Sequence, residues 1–403
     1  MLTRRDMLKR SALVSCAPLV PTFLTRAASA AHVEADRRIL VVIQLDGGND
    51  GLNTVVPYRD VNYARLRPKL QIKPDRIIKV NDEIGLHPAM KAAGELLDSG
   101  RLAIVQGVGY PNPNRSHFRS MSIWQTARLD EADHGQYGWL GRTLDSRGAG
   151  QTGPQGVFVG SGSTPLTLWS RRSTVAALQS GDDLALQASG ELLQSALKSA
   201  DSATELERFV AQSSENAFAT AQRLSTLVDL PRGVVGNGNS QSRLAEQLQL
   251  ISALIKSDCH ARVFYTVQSG YDTHAAQLPE HFDLLRGLST ALKTFLDDLA
   301  ASGLADRVLV LAFSEFGRRA AENDSEGTDH GAAAPVFLAG PTLAKSIIGP
   351  QPNLTDLQDG DVKMAIDFRQ VYATILDQWL DVRAHDVLAG EFEPLPLFKK
   401  PKS

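Results

Sequence analysis

Cysteine is almost missing from this chain: there are two in 403 residues, Cys16 and Cys259. That excludes a zinc site built from thiolates and a disulfide framework. With the first 30 residues set aside, Cys259 stands alone and no bond within the chain can form. A lone thiol of this kind reads as a small buried hydrophobe. An excess of basic charge is missing as well. Lysine and arginine number 42 against 45 acidic residues, net −3. Without Arg4, Arg5, Asp6, Lys9, Arg10 and Arg26 the balance is 37 to 44, net −7. Phosphate backbones demand basic patches, so no nucleic acid is expected as a partner. Long apolar runs are absent too. Ser11 to Leu24 is interrupted by Pro18 and Pro21. It falls short of the about 20 residues a bilayer requires, so no stable membrane span is expected. No fixed-period repeat occurs.

What is present begins at Thr3-Arg4-Arg5-Asp6-Met7-Leu8-Lys9, a paired arginine ahead of a mildly apolar stretch. Ala28-Ser29-Ala30 follows as a small-residue cleavage site, with Arg26 just before it. This order resembles a twin-arginine export signal over residues 1–30. It makes the twin-arginine translocation machinery a partner and the periplasm or exterior the destination. Because that route carries folded proteins, it also suits a chain without disulfides. Leu13-Val14-Ser15-Cys16 resembles a lipoprotein-processing box, which leaves a lipid anchor on Cys16 as an alternative.

Six short apolar runs read as buried strands: Arg38 to Leu45, Leu102 to Val108, Val157 to Val159, Arg262 to Val267, Val308 to Phe313 and Pro335 to Ala339. Most lack clean alternation, which suits strands covered on both faces of a mostly parallel sheet. Between them lie helical patterns. In His281 to Ala301 the residues Phe282, Leu285, Leu288, Leu292, Phe295 and Leu296 form one apolar stripe. Asp367 to Leu380 and Ser116 to Ala127 read as helices too. Alternating strands and helices predict an α/β fold with helices on both faces. Val175 to Lys256, rich in Ala, Ser, Leu and Gln, reads as a helical insertion with almost no strand signal.

Five groups of chemically capable residues adjoin these strands. Asp46 ends the first. Arg115, Ser116 and His117 follow the second, Asp272 and His274 the fourth, and Glu315 and Arg318 the fifth. Asp329 and His330 precede the sixth. Sites in open α/β sheets form at the carboxyl ends of strands. Aspartate, glutamate and histidine together suit a divalent metal such as zinc or manganese. Each is also explained by a turn or a cap: Asp46 before Gly47-Gly48 is a turn signal, and Ser116 a helix N-cap. Ser116 is a candidate nucleophile; His117 a ligand, a base or a packed ring. Arg115 and Arg119 could hold an anion bidentately.

Six blocks together resemble the exported family known as domain of unknown function 1501. They are Leu45-Asp46-Gly47-Gly48-Asn49-Asp50-Gly51-Leu52-Asn53, Arg115-Ser116-His117-Phe118, Tyr271-Asp272-Thr273-His274, Ser314-Glu315-Phe316-Gly317-Arg318, Thr328-Asp329-His330-Gly331 and Asp367-Phe368-Arg369-Gln370-Val371-Tyr372. That family is similar to the alkaline phosphatase and sulfatase superfamily. The resemblance implies a three-layer α/β/α core over residues 37–403, with a helical insertion at about 175–256. It implies a hydrolase of phosphate or sulfate esters, small-molecule or carbohydrate, holding one or two divalent ions. Asp46, Asp272, His274, Glu315, Asp329 and His330 would be the metal ligands. Ser116 would attack, with Arg115, His117 and Arg318 as further catalytic residues. Phe316 stands where the superfamily usually has a second-metal histidine. That departure keeps open a non-catalytic binding or assembly role. A mutase or a transferase to carbohydrate is a third possibility.

Overall fold

The computed structural model describes residues 38–130, 136–146, 154–179, 240–341 and 343–398. The arginine pair, Cys16 and residues 180–239 of the expected insertion lie outside them. Among the described residues nine strands form the main sheet: β1 (Ile39–Asp46), β2 (Leu102–Gly109), β3 (Gly156–Val159), β4 (Val175–Leu178), β5 (Val263–Ser269), β6 (Val308–Phe313), β7 (Ala334–Ala339), β8 (Ile347–Ile348) and β9 (Ile366–Asp367). Their order is β8-β2-β7-β6-β1-β5-β3-β4, with β9 also beside β2. Only β7 runs antiparallel, against β2 and β6. All six strands expected from the sequence are present, in a mostly parallel sheet.

β1 shows why the chain folds this way. Ile39, Val41, Ile43 and Leu45 enter one apolar core, and Leu40 and Val42 the other. A strand buried on both faces can use apolar residues at every position. On the first face α1 (Lys91–Asp98), α4 (Ser240–Lys256) and α5 (Gln277–Ala301) supply Leu96, Leu248 and Leu292. On the second, α2 (His117–Thr126), α3 (Trp139–Ser146) and α6 (Phe368–Ile375) supply Trp124, Trp139 and Tyr372. Trp139 stacks on Tyr372 with ring centroids 4.0 Å apart, and Trp124 on Phe313 at 4.9 Å. The result is the expected three-layer α/β/α arrangement. Cys259 is buried.

One boundary moves. Val175–Leu178, expected to begin the helical insertion, is strand β4, paired in parallel with β3. Its Val-Ala-Ala-Leu sequence is too short to show a period, and pairing with a neighbour decides its state. Among the described residues no helix is long and apolar enough to cross a membrane.

Candidate metal centre

Parallel pairing sets three strand ends side by side. Gln44 pairs with Phe313 on one side, and Asp46 with Ser269 on the other. The loops that follow β1, β5 and β6 therefore leave the sheet at one edge. Two glycines let them close together. Gly47 has φ +118°, and a Cβ there would sit 2.5 Å from the Asp272 amide nitrogen. Gly48 has φ +83°, and a Cβ there would meet the Phe316 ring at 2.4 Å. A fourth segment arrives by pairing: Gly331 N–H donates to the Gly317 carbonyl at 2.8 Å, and Arg319 N–H to that of Asp329 at 2.9 Å. This carries His330 beside Arg318.

Two of these segments bring the Asp272 carboxylate and the His274 and His330 imidazoles together. Asp272 Oδ1 lies 3.0 Å from His274 Nε2 and 3.1 Å from His330 Nε2, and those two nitrogens are 2.9 Å apart. His117 joins them from the first turn of α2, its Nε2 3.5 Å from Asp272 Oδ2. Ligand atoms of His117, Asp272 and His330 all fall within 4.8 Å of one another. Burial opposes the charge on Asp272, but hydrogen bonds from Arg318 and His330 outweigh it and hold its pKa down to about 2. It is therefore a carboxylate at any physiological pH. His117 Nε2 is sealed from solvent and takes no hydrogen bond.

These separations fit a bound cation. An ion about 2.1 Å from each donor separates neighbouring donors by about 3.0–3.4 Å. The donors, imidazole and carboxylate, suit zinc, manganese or iron.

Other candidate residues stand around this group in different ways. Glu315 is fully buried; its Oε1 accepts from Gly47 N–H at 3.0 Å and faces His117 Nδ1 at 2.8 Å. That hydrogen bond raises the His117 pKa above the ordinary imidazole value. Asp46 accepts from Gln44 Nε2 at 2.9 Å; burial first, then the Glu315 charge, raise its pKa. Asp329 Oδ1 lies 3.3 Å from His274 Nδ1. Arg318 faces inward with its side chain fully buried. It donates to the carbonyls of Gly47, Gly48, Tyr271 and Thr328 and, at 2.7 Å, to Asp272. Its guanidinium is thus a brace between the four segments, with the ion pair to Asp272 as its one charged contact here.

Arg115 is paired bidentately with one oxygen of Asp361, at 2.6 and 3.0 Å. Its carbonyl lies 2.8 Å from His330 Nδ1. Arg119 donates to the Leu129 carbonyl at 2.8 Å. Ser116 stands at the N-cap position of α2, but its hydroxyl makes no capping bond; it is exposed, and its N–H donates to Asn114. Phe316 is buried, its ring centroid 4.9 Å from that of His117 and 4.8 Å from that of His330.

Sequence reading missed the support beneath the site. Asp50 and Arg67 form an ion pair at 2.5 Å with both side chains fully buried. Gln277 Nε2 donates to Asp50, while Gln277 Oε1 accepts from Thr273 at 3.1 Å and from Thr328 at 2.6 Å. Thr273 lies between Asp272 and His274, and Thr328 just before Asp329. Gln277 thus ties the two loops that carry Asp272, His274 and Asp329 to one buried carboxylate. Asp50 lies in the block containing Asp46, but only folding shows its partners. Asp361, which holds Arg115, carried no local sequence signal.

No curated protein matches the chain in sequence. Among solved structures it is similar to a sulfatase from Pseudoalteromonas sp., at 11% identity and TM-score 0.41, over 88% of this chain and 70% of that one. A protein of the alkaline phosphatase superfamily from Vibrio parahaemolyticus gives 11% and 0.40, over 88% and 70%. The C-terminal periplasmic domain of Escherichia coli EptC gives 7% and 0.41, over 85% and 82%. The family model described as a protein of unknown function, DUF1501, matches residues 37–389, and the chain belongs to that family.

Proposed function

We propose that this protein is an exported, metal-dependent hydrolase of phosphate or sulfate esters. The reading is carried by the triangle of Asp272, His274 and His330, three donors about 3 Å apart at one end of the sheet. The blocks resemble a family that is itself similar to phosphatases and sulfatases, which supports the ester class. A divalent ion held there would polarise the ester and neutralise charge developing on its oxygens. The chain's own residues would do the rest. Arg318 keeps Asp272 ionised and the four segments together. The first N–H groups of α2 offer an anion a place beside His117. Ser116, exposed at that terminus, is the candidate nucleophile.

One observation favours a second reading, a binding protein that retained the fold and lost turnover. Phe316 fills the position expected for a second-metal histidine, and its ring packs on His117 and His330. Elemental analysis of protein purified without chelators, followed by a screen of phosphate and sulfate esters, separates the two. Metal with turnover is expected. Metal without turnover favours the binding role, and protein that takes up no metal overturns both the centre and the hydrolase. Replacing Arg4 and Arg5 by lysine and fractionating the cells tests export: the protein should stay in the cytoplasm.

A further inference from the structure

We propose that the centre holds a single divalent cation, with His117 as a fourth ligand and with Glu315 and Asp329 positioning ligands without binding the ion. This rests on the reading that the cluster is a metal centre.

The three imidazoles share one arrangement. Each turns Nδ1 to an oxygen: His117 to Glu315 Oε1 at 2.8 Å, His274 to Asp329 Oδ1 at 3.3 Å, and His330 to the Arg115 carbonyl at 2.8 Å. An acceptor at Nδ1 fixes the proton there and leaves the lone pair on Nε2. All three Nε2 atoms then converge on Asp272, at 3.5, 3.0 and 3.1 Å. Without an ion a proton must bridge two of these atoms, as between His330 Nε2 and Asp272 or His274. With each Nδ1 proton held by its own acceptor, a cation takes that proton's place and is shared by all four.

His117 Nε2 decides between two roles for that residue. Sealed from solvent, the atom is out of reach of an ester or a water, which argues against a role as general base. A cation held among Asp272, His274 and His330 would lie next to the same lone pair. A buried nitrogen without a hydrogen bond is costly, and an ion accounts for it.

A second ion finds too few donors. Glu315 Oε1 already faces Gly47 N–H and His117 Nδ1, and its Oε2 lies 3.1 Å from Ser314 Oγ. Phe316, the next residue, brings an apolar ring to the same spot. Among the described candidate residues Asp46 alone remains on that side. Three imidazoles with one carboxylate suit zinc, manganese or iron in the divalent state.

The test is metal binding, independent of any substrate. Full-length protein is stripped with chelator, titrated with Zn2+ or Mn2+ salts and analysed for metal per chain. One ion per chain is expected. Glu315→Gln should keep that ratio with affinity weakened about 10–100-fold, the usual effect of losing an outer carboxylate. His117→Ala should weaken it further, and Asp46→Asn should leave the ratio at one. Pulsed electron paramagnetic resonance of Co2+-loaded wild-type protein should show coupling to three imidazoles, an outcome that needs no variant to fold. Two ions per chain, two imidazoles, unchanged affinity in Glu315→Gln, or loss of metal in Asp46→Asn would each overturn the proposal while leaving a metal centre in place. A wild-type chain that takes up none of these ions overturns the metal centre itself.

Discussion

Glu315 holds α2 at two points: its side chain meets His117 Nδ1 at 2.8 Å, and its carbonyl accepts from Ser120 Oγ at 2.5 Å. The loop after β6 and the first turn of α2 are therefore one unit. With its side chain fully buried and Gly47 N–H also bound, Glu315 cannot be removed without stranding polar partners. Glu315→Ala should cost about 1–3 kcal/mol for each donor left unsatisfied. Glu315→Gln, which keeps an acceptor oxygen, should cost less. Urea unfolding of metal-free protein measures both. Equal midpoints for wild type and Glu315→Ala would mean the carboxylate is not holding these segments.

The Asp50–Arg67 pair supports a larger area. Arg67 also donates to the Ala320 carbonyl at 2.9 Å and to Asn53 at 3.0 Å. Burial works against the Asp50 charge, but Arg67 outweighs it, and the carboxyl titrates below its ordinary value. Its contribution is therefore complete above the ordinary aspartate range and lost as pH falls below it. Arg67→Met should destabilise by about 3–5 kcal/mol, because it leaves a buried carboxylate without its counter-charge. Adding Asp50→Asn should recover part of that loss, which a double-mutant cycle measures. Strict additivity of the two changes would show that the residues act separately.

The two pairs also mark what could be read before folding. Strand positions followed from apolar runs, because a strand covered on both faces needs only local composition. The carboxyl-end placement of Asp46, Asp272 and Glu315 followed from strand order alone. Their roles did not. Whether Glu315 meets an ion or an imidazole depends on where α2 delivers His117, 198 positions away in sequence. The resemblance implies a catalytic role for Arg318; the carbonyls around its guanidinium make it a brace. The distinction between ligand and support lies in distances of an ångström or less, and no spacing along the chain encodes them.

Two buried histidines predict an acid-sensitive fold. His281 is fully enclosed, with Nε2 3.0 Å from Asn49 Oδ1, and His87 lies edge-on to it at 5.9 Å. Burial depresses both, His281 to about 4 and His87 to about 3, from 6.5. The unfolded chain therefore takes up protons first as pH falls below about 6.5. Each residue should remove about 1.4 kcal/mol per pH unit until its own folded value is reached. Chemical unfolding at pH 7.5 and pH 5 measures the loss, and His281→Gln should reduce it. Equal stability at both values would mean these rings are already solvated.

Gly48 offers the sharpest separation of backbone cost from packing cost. Its φ of +83° disfavours any side chain, and the Cβ position lies 2.4 Å from the Phe316 ring. Gly162, at φ +95°, has nothing within 4 Å of its Cβ position. Gly162→Ala should therefore show the conformational term alone, about 1–2 kcal/mol. Gly48→Ala adds overpacking, typically about 1–3 kcal/mol more. Thermal unfolding of both variants gives the difference. The packing term has a chemical consequence too: Phe316 lies against His117 and His330, so moving it moves two of the converging nitrogens. Gly48→Ala should weaken metal binding where Gly162→Ala does not. Equal destabilisation with unchanged metal affinity would show that the Phe316 ring yields without disturbing either histidine.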